Sequence, residues 1–348
     1  TVLIGDDGTR WIGTWGGGLY AITPDGRRFT FSGDDDGPAS PVLYSLFEDA
    51  AGLIWAGTNG GGVHYLSPRR RNFRAFYHDP ENQDSLPAGK INAMLRTSDG
   101  RLWVGLYSGG LAWYDEQNQR WVAYDHDPDD PYSLANDIVT VLYEDNDGAL
   151  WIGTNGGLQR YDVENDRFLK WGVHVYDGIE ISGDIVYEVQ EDAEGYFWIG
   201  TYDGGLTRVD TEQREARYFR HDPDDPNSLS DNLVYDMLVD SRGDLWIATN
   251  GGLNRYEPDG ERFDVFRYDL YDDTGLSSNT IRVLYEDSQE RLWIGTVSGG
   301  LNVLDRNDGT VTHITERDGL SDNSIVSILE GEDGRIWMGT QQGLSSLD

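Results

Sequence analysis

Glu188 and Asp236 stand 48 residues apart, each preceded by a tyrosine, Tyr187 and Tyr235, and Arg282 follows at nearly the same interval. Two carboxylates so placed are what a glycan-active hydrolase or lyase needs, one as general acid and one as base or nucleophile. The tyrosines and the arginine would equally stack on and hydrogen-bond a sugar or a peptide. With 62 acidic residues the chain offers carboxylate pairs by chance, and no serine–histidine or metal-spaced motif accompanies this one. The set therefore points to binding before catalysis, and no catalytic residue is assigned. A second set lies four residues after a recurring tryptophan: Trp15, Asn59, Tyr107, Asn155, Tyr202 and Asn250, followed by Val297 and Gln341. Aromatic and amide groups dominate it, although asparagine also suits a turn for reasons of its own backbone.

Three histidines occur in Tyr77-His78-Asp79-Pro80, Asp125-His126-Asp127-Pro128 and Arg220-His221-Asp222-Pro223. They hold equivalent places in different copies of one repeat, too far apart to share a metal. The acidic connectors beside them, such as Asp127 to Asp130, lack the full EF-hand ligand pattern and read as Asx and proline turns. Neither a metal nor a cofactor is expected.

The element that positions these residues is a repeat. Trp11, Trp55, Trp103, Trp151, Trp198, Trp246, Trp293 and Trp337 follow one another at 44 to 48 residues, the length of a four-stranded propeller blade. In the fourth copy, Ile138–Glu144 reads as strand A, Leu150–Thr154 as B, Leu158–Asp162 as C and Arg167–Trp171 as D, and the copy runs on to Asp177. No window of helical periodicity competes. Each repeat tryptophan is expected to pack between blades. The fold class is all-β, a single propeller over residues 1–348 with eight blades of mostly four antiparallel strands. The last is three-stranded, since the chain ends at Asp348 after its strand C. Seven blades plus a displaced terminal repeat is the alternative.

In such a blade the D–A connectors and B–C turns share one end, and the varied residues lie there. The third position of strand A reads Tyr44, Asn92, Thr140, Tyr187, Tyr235, Arg282 and Val326 in blades two to eight, and the fourth includes Glu188 and Asp236. Polar groups gather on three consecutive blades and are expected to converge, on a wet channel if not on a ligand.

The formal charge of −35 repels nucleic-acid phosphates and anionic lipid surfaces, so neither nucleic acid nor direct membrane contact is expected. There are no cysteines, hence no disulfides or thiolate chemistry. No apolar run has the length of a membrane span, and the chain, opening at Thr1, reads as a mature or excised fragment.

The string Asp145 to Asp162 (DNDGALWIGTNGGLQRYD) and the connector His221 to Asn232 (HDPDDPNSLSDN) resemble the two-component regulator propeller repeats of bacterial transmembrane sensors. All eight copies carry the tryptophan core, and only the sixth replaces its glycine, with Ala248. The resemblance implies a periplasmic or other extracytoplasmic sensor part of a hybrid histidine kinase or diguanylate cyclase, often responding to glycan fragments. A homodimer within a full-length receptor is a further expectation. The expected ligand is a small molecule, namely a neutral or cationic oligosaccharide or peptide. A hydrolase or lyase using Glu188 and Asp236, and a structural or protein-binding propeller without a small ligand, are the alternatives.

Overall fold

The computed structural model describes residues 1–31, 38, 40–49, 52–67, 72–76, 78–172, 175, 178–269, 275–306, 309–331 and 334–347. Tyr77, Asp177 and Asp348, named above as parts of repeats, lie outside them. In the fourth copy the strands are Val139–Glu144, Leu150–Thr154, Gly157–Asp162 and Arg167–Lys170. Strand D is one residue shorter than its sequence reading. Gly172, at a φ of 73°, turns the chain directly after Trp171, which leaves the ladder and makes an isolated bridge to Val175.

Among the described residues the strands form eight antiparallel sheets, each ordered as in the chain, seven of four strands and a last of three. The fold is an eight-bladed β-propeller with almost no helix. The last blade consists of Ile325–Glu330, Ile336–Thr340 and Gly343–Leu347. It is packed rather than displaced: Trp293 and Leu301 of blade seven share a core with Ile325, Ile328, Ile336 and Met338. The chain groups into two units, Thr1–Lys170 with blades one to four and Trp171–Asp348 with blades five to eight. Within each unit the A strands of successive blades pack side by side.

Among the described residues six of the eight repeat tryptophans, Trp11, Trp55, Trp103, Trp198, Trp246 and Trp293, pack between successive blades of one unit. In the second unit, Trp198, Leu206 and Phe219 of blade five meet Val234, Met237, Ile247, Tyr256 and Phe263 of blade six. In the first, Trp103 and Leu111 of blade three meet Val139, Leu150, Ile152 and Phe168 of blade four. Burying one such ring removes on the order of 200 Å² from water, about 5 kcal/mol at ~25 cal/mol per Å². In five of the eight copies the indole N–H is also satisfied. Trp55, Trp151, Trp198, Trp246 and Trp293 each donate Nε1–H to an aspartate six residues earlier (Asp49, Asp145, Asp192, Asp240 and Asp287) at 2.7–2.8 Å. The same aspartates accept backbone N–H groups of the A–B turn, as Asp192 does from Glu194 and Tyr196. One side chain thus closes the turn and anchors the core ring.

The glycine two residues after the tryptophan, present in seven of the eight copies, has a steric cause. A Cβ on Gly57 would lie 2.5 Å from Ile91, and one on Gly200 would lie 2.6 Å from Val234, each on strand A of the next blade. Backbone and neighbouring blade touch there, so blades stack at close quarters and the A strands present their variable residues in adjacent rows.

Candidate functional site

The B–C turns and the starts of the A strands lie at the same end of each blade, tied by one recurrent hydrogen bond. The backbone N–H groups of Asn59, Tyr107, Asn155, Tyr202 and Asn250 donate to the carbonyls of Val42, Lys90, Ile138, Ile185 and Leu233, at 2.8–3.2 Å. In blades two to eight the residue four after the tryptophan therefore sits over the beginning of its own blade's strand A, whereas Trp15 of blade one bridges to Val42 beside strand A of blade two. At this position three large rings are open to solvent: Trp15 is 61% exposed, Tyr107 51% and Tyr202 47%. Each has a neighbour of a matching kind. Trp15 meets Tyr44 of the next blade edge-on at 5.3 Å, Tyr202 meets Tyr187 of its own blade at 5.7 Å, and Lys90 Nζ lies 5.6 Å from the centre of the Tyr107 ring. Asn59 and Asn155 are half-buried, and the exposed Asn250 accepts a hydrogen bond from Thr280 Oγ1 at 3.3 Å.

A β-bulge presents the strand A residues. In blade five Val186 pairs with Thr201 and Glu188 with Gly200, so Tyr187 is the extra, unpaired residue. The register shifts in the same way at Tyr44, Asn92, Thr140, Tyr235, Arg282 and Val326. The third position of strand A is thus the bulged one in blades two to eight. A bulge frees a residue from the strict in-and-out alternation of a strand and re-aims its side chain. This accounts for the sequence tolerance at that position.

In the second unit the structure brings together much of the predicted set. Tyr187 meets Tyr202 edge-on, and Arg282 and Tyr202 lie near enough to Tyr235 to act on its hydroxyl electrostatically; burial raises that hydroxyl's pKa while Arg282 opposes the rise. Glu188 and Asp236, one residue past the bulge in adjacent A strands, are densely surrounded yet keep part of their surface open. Burial, and then the Asp236 carboxylate, push Glu188 well above the usual carboxylate range, against the N–H of Val189. Burial likewise raises Asp236, although its two oxygens accept the N–H groups of Met237 and of Leu284 on the next A strand, each at 2.8 Å. Asp236 therefore both titrates with Glu188 and braces two blades. Trp15, Asn59, Tyr107 and Asn155 belong to the first unit, where Asn92 makes the comparable brace, donating Nδ2–H to Val139 O at 3.0 Å.

The histidines are structural. His78, His126 and His221 place Nδ1 on the carbonyls of Leu86, Leu134 and Leu229, and Asp127 and Asp222 each accept a backbone N–H two residues on, as Asx turns do. No cluster of potential metal ligands is found among the described residues. Sequence reasoning missed the aspartate beneath five of the core tryptophans, although an aspartate six residues earlier in five of the eight copies is a visible signal.

Five segments, residues 85–108, 133–156, 228–251, 275–298 and 319–342, match the family model described as Two component regulator propeller. Each runs from the D–A connector through the core tryptophan to the B–C turn. No curated protein matches the chain in sequence. Among solved structures, the extracellular domain described as that of the hybrid two-component system BT3049 from B. thetaiotaomicron is similar, with a TM-score of 0.69 and 22% identity over 87% of this chain. PorZ, a surface component of the type-IX secretion system of Porphyromonas gingivalis, has a TM-score of 0.65 and 16% identity over 98% of this chain. Virginiamycin B lyase from Staphylococcus aureus has a TM-score of 0.58 and 12% identity over 87%. At these identities the likeness is one of fold. The chain covers 39% of the first structure, 51% of the second and 93% of the third.

Proposed function

We propose that this chain, whose repeats are those of the two-component regulator propeller family, is the ligand-binding, extracytoplasmic sensing part of a bacterial signal-transduction receptor. The observation that carries the reading is the exposure of Trp15, Tyr107 and Tyr202 at one repeat position, beside the bulged residues of strand A. Packing of the blades does not require these rings, and an exposed ring with an aromatic or cationic neighbour is a stacking platform. The family and the extracellular domain it resembles support the sensor role and the placement outside the cytoplasm.

The ligand class follows from charge. With a net charge of −35 the protein disfavours sulfated or uronate-rich glycans, and the ligand is a neutral or cationic oligosaccharide or peptide. The test is a binding screen by thermal shift with neutral oligosaccharides, basic peptides and a sulfated oligosaccharide, repeated on Trp15→Ala and Tyr202→Ala. A neutral or cationic member should raise the melting temperature, and at least one substitution should weaken its binding about tenfold, as losing a stacking contact of ~1.4 kcal/mol would. Release of reducing ends from a polysaccharide, abolished by Glu188→Gln, would replace the sensor reading with catalysis.

A further inference from the structure

With 62 acidic residues against 27 basic ones, partly buried guanidinium groups of the second unit readily find carboxylates. Arg208 pairs with Glu261 at 3.0 Å, Arg255 with Asp264 at 2.7 Å and Arg291 with Asp287 at 2.6 Å, and Arg306 pairs with Asp240 and Glu286. Arg282 departs from this pattern. It is half-buried, yet among the described residues its side chain makes no hydrogen bond or ion pair. Desolvation without a counter-charge is unfavourable, and the planar fork of a guanidinium matches a carboxylate through two parallel hydrogen bonds.

Its surroundings narrow the guest. Arg282 is the bulged residue of strand A in blade seven, Ile281–Glu286, and the bulged positions of the blades on either side are Tyr235 and Val326. Its charge reaches the Tyr235 hydroxyl, on which the exposed Tyr202 also acts. Val326 is an exposed apolar side chain. The exposed Asn250 accepts from Thr280 Oγ1, and its Nδ2 group makes no hydrogen bond among the described residues. The acids of the connectors on either side are committed to their own turns. Asp231 accepts the N–H of Leu233 at 2.8 Å, and Asp322 accepts the N–H of Ser324 at 2.7 Å and Nε2–H of Gln342 at 2.8 Å. An unpaired guanidinium therefore shares this end of the blades with a tyrosine, an amide and an apolar side chain. A polyanion is repelled by the net charge of −35, whereas a single carboxylate on an otherwise neutral or basic molecule is not.

We propose that Arg282 takes the C-terminal carboxylate of a peptide, with the last side chain against Val326 and the preceding amide groups toward Tyr235 and Asn250. This rests on the reading of the B–C end as a ligand site, and it narrows the ligand there to a peptide with a free C-terminus. The probe is a panel of N-acetylated lysine–glycine–glycine peptides ending in each of the common amino acids, prepared as free acids and as C-terminal amides. Each is titrated calorimetrically into the intact chain at pH 7. At least one free acid should bind, and its amide should bind at least about ten-fold more weakly, since the charge-assisted pair is lost. Arg282→Gln should lower the affinity for the acid to that for the amide and leave the amide's own affinity unchanged. The comparison of acid with amide is made on the unaltered protein, so it does not depend on the folding of a variant. Equal binding of acid and amide, a preference that survives Arg282→Gln, or no binding by any peptide would overturn the proposal. Binding of a neutral oligosaccharide that Tyr202→Ala weakens, with no peptide bound, would overturn this inference and leave the sensor reading standing.

Discussion

Asp192 holds three groups at once, the Trp198 indole and the backbone N–H groups of Glu194 and Tyr196. Its replacement by alanine leaves a buried donor unsatisfied, and Asp192→Ala should lower stability by about 1–3 kcal/mol in urea denaturation. An unchanged midpoint would remove the aspartate from the account of the core. Glu188 and Asp236 act in the opposite sense. Both ionise near pH 4 when unfolded, and burial raises both in the folded protein, Asp236 up to about 7. The folded state therefore binds more protons than the unfolded one above about pH 4. The stability this contributes is complete below that pH and is lost as the pH rises through the folded values. Glu188→Gln, which removes one of the two charges, should raise the urea midpoint relative to wild type at pH 8 and have little effect at pH 4.5. A larger gain at pH 4.5 than at pH 8 would contradict the sign.

At the scale of the strand and blade, the close approach of strand B to the next strand A decides what is tolerated. Gly200→Ala brings a methyl to 2.6 Å from Val234 and should cost about 1–3 kcal/mol by over-packing. Ala248 holds a methyl in the equivalent place of blade six, where it belongs to the core with Ile281, so Ala248→Gly should cost about 1 kcal/mol or less. Denaturation of the two variants side by side checks the pair. Strand B was readable to the residue in blade four, Leu150–Thr154, because tryptophan, glycine and threonine mark three fixed demands: a core ring, a close contact and a hydroxyl that caps the turn, as Thr154 Oγ1 does on Gly157 O at 3.0 Å. The end of strand D was less readable, since Gly172 rather than any residue of the strand ends it. The bulges at Tyr187 and Tyr235 were not readable at all. A bulge is defined by how many residues the partner strand offers, and single-strand composition carries no trace of that. What did show was its consequence, a position free to vary.

At the scale of the whole molecule, repetition and charge are the two properties that bear on function. Repetition makes departures informative: the exposed rings of Trp15, Tyr107 and Tyr202 were visible as disagreement between copies. Charge sets the polarity of the partner and makes binding of any cationic ligand weaken as salt rises. The central claim is that the end of the blades carrying the B–C turns is a ligand site rather than a by-product of turn chemistry. The most direct measurement is a titration of wild type, Trp15→Ala and Tyr202→Ala with the best neutral or basic member of the oligosaccharide and peptide screen, with melting temperatures recorded alongside. The account predicts that at least one substitution weakens binding about tenfold while the unliganded melting temperature stays put. Equal affinity in all three proteins, or tight binding of a sulfated oligosaccharide at physiological salt, would contradict it.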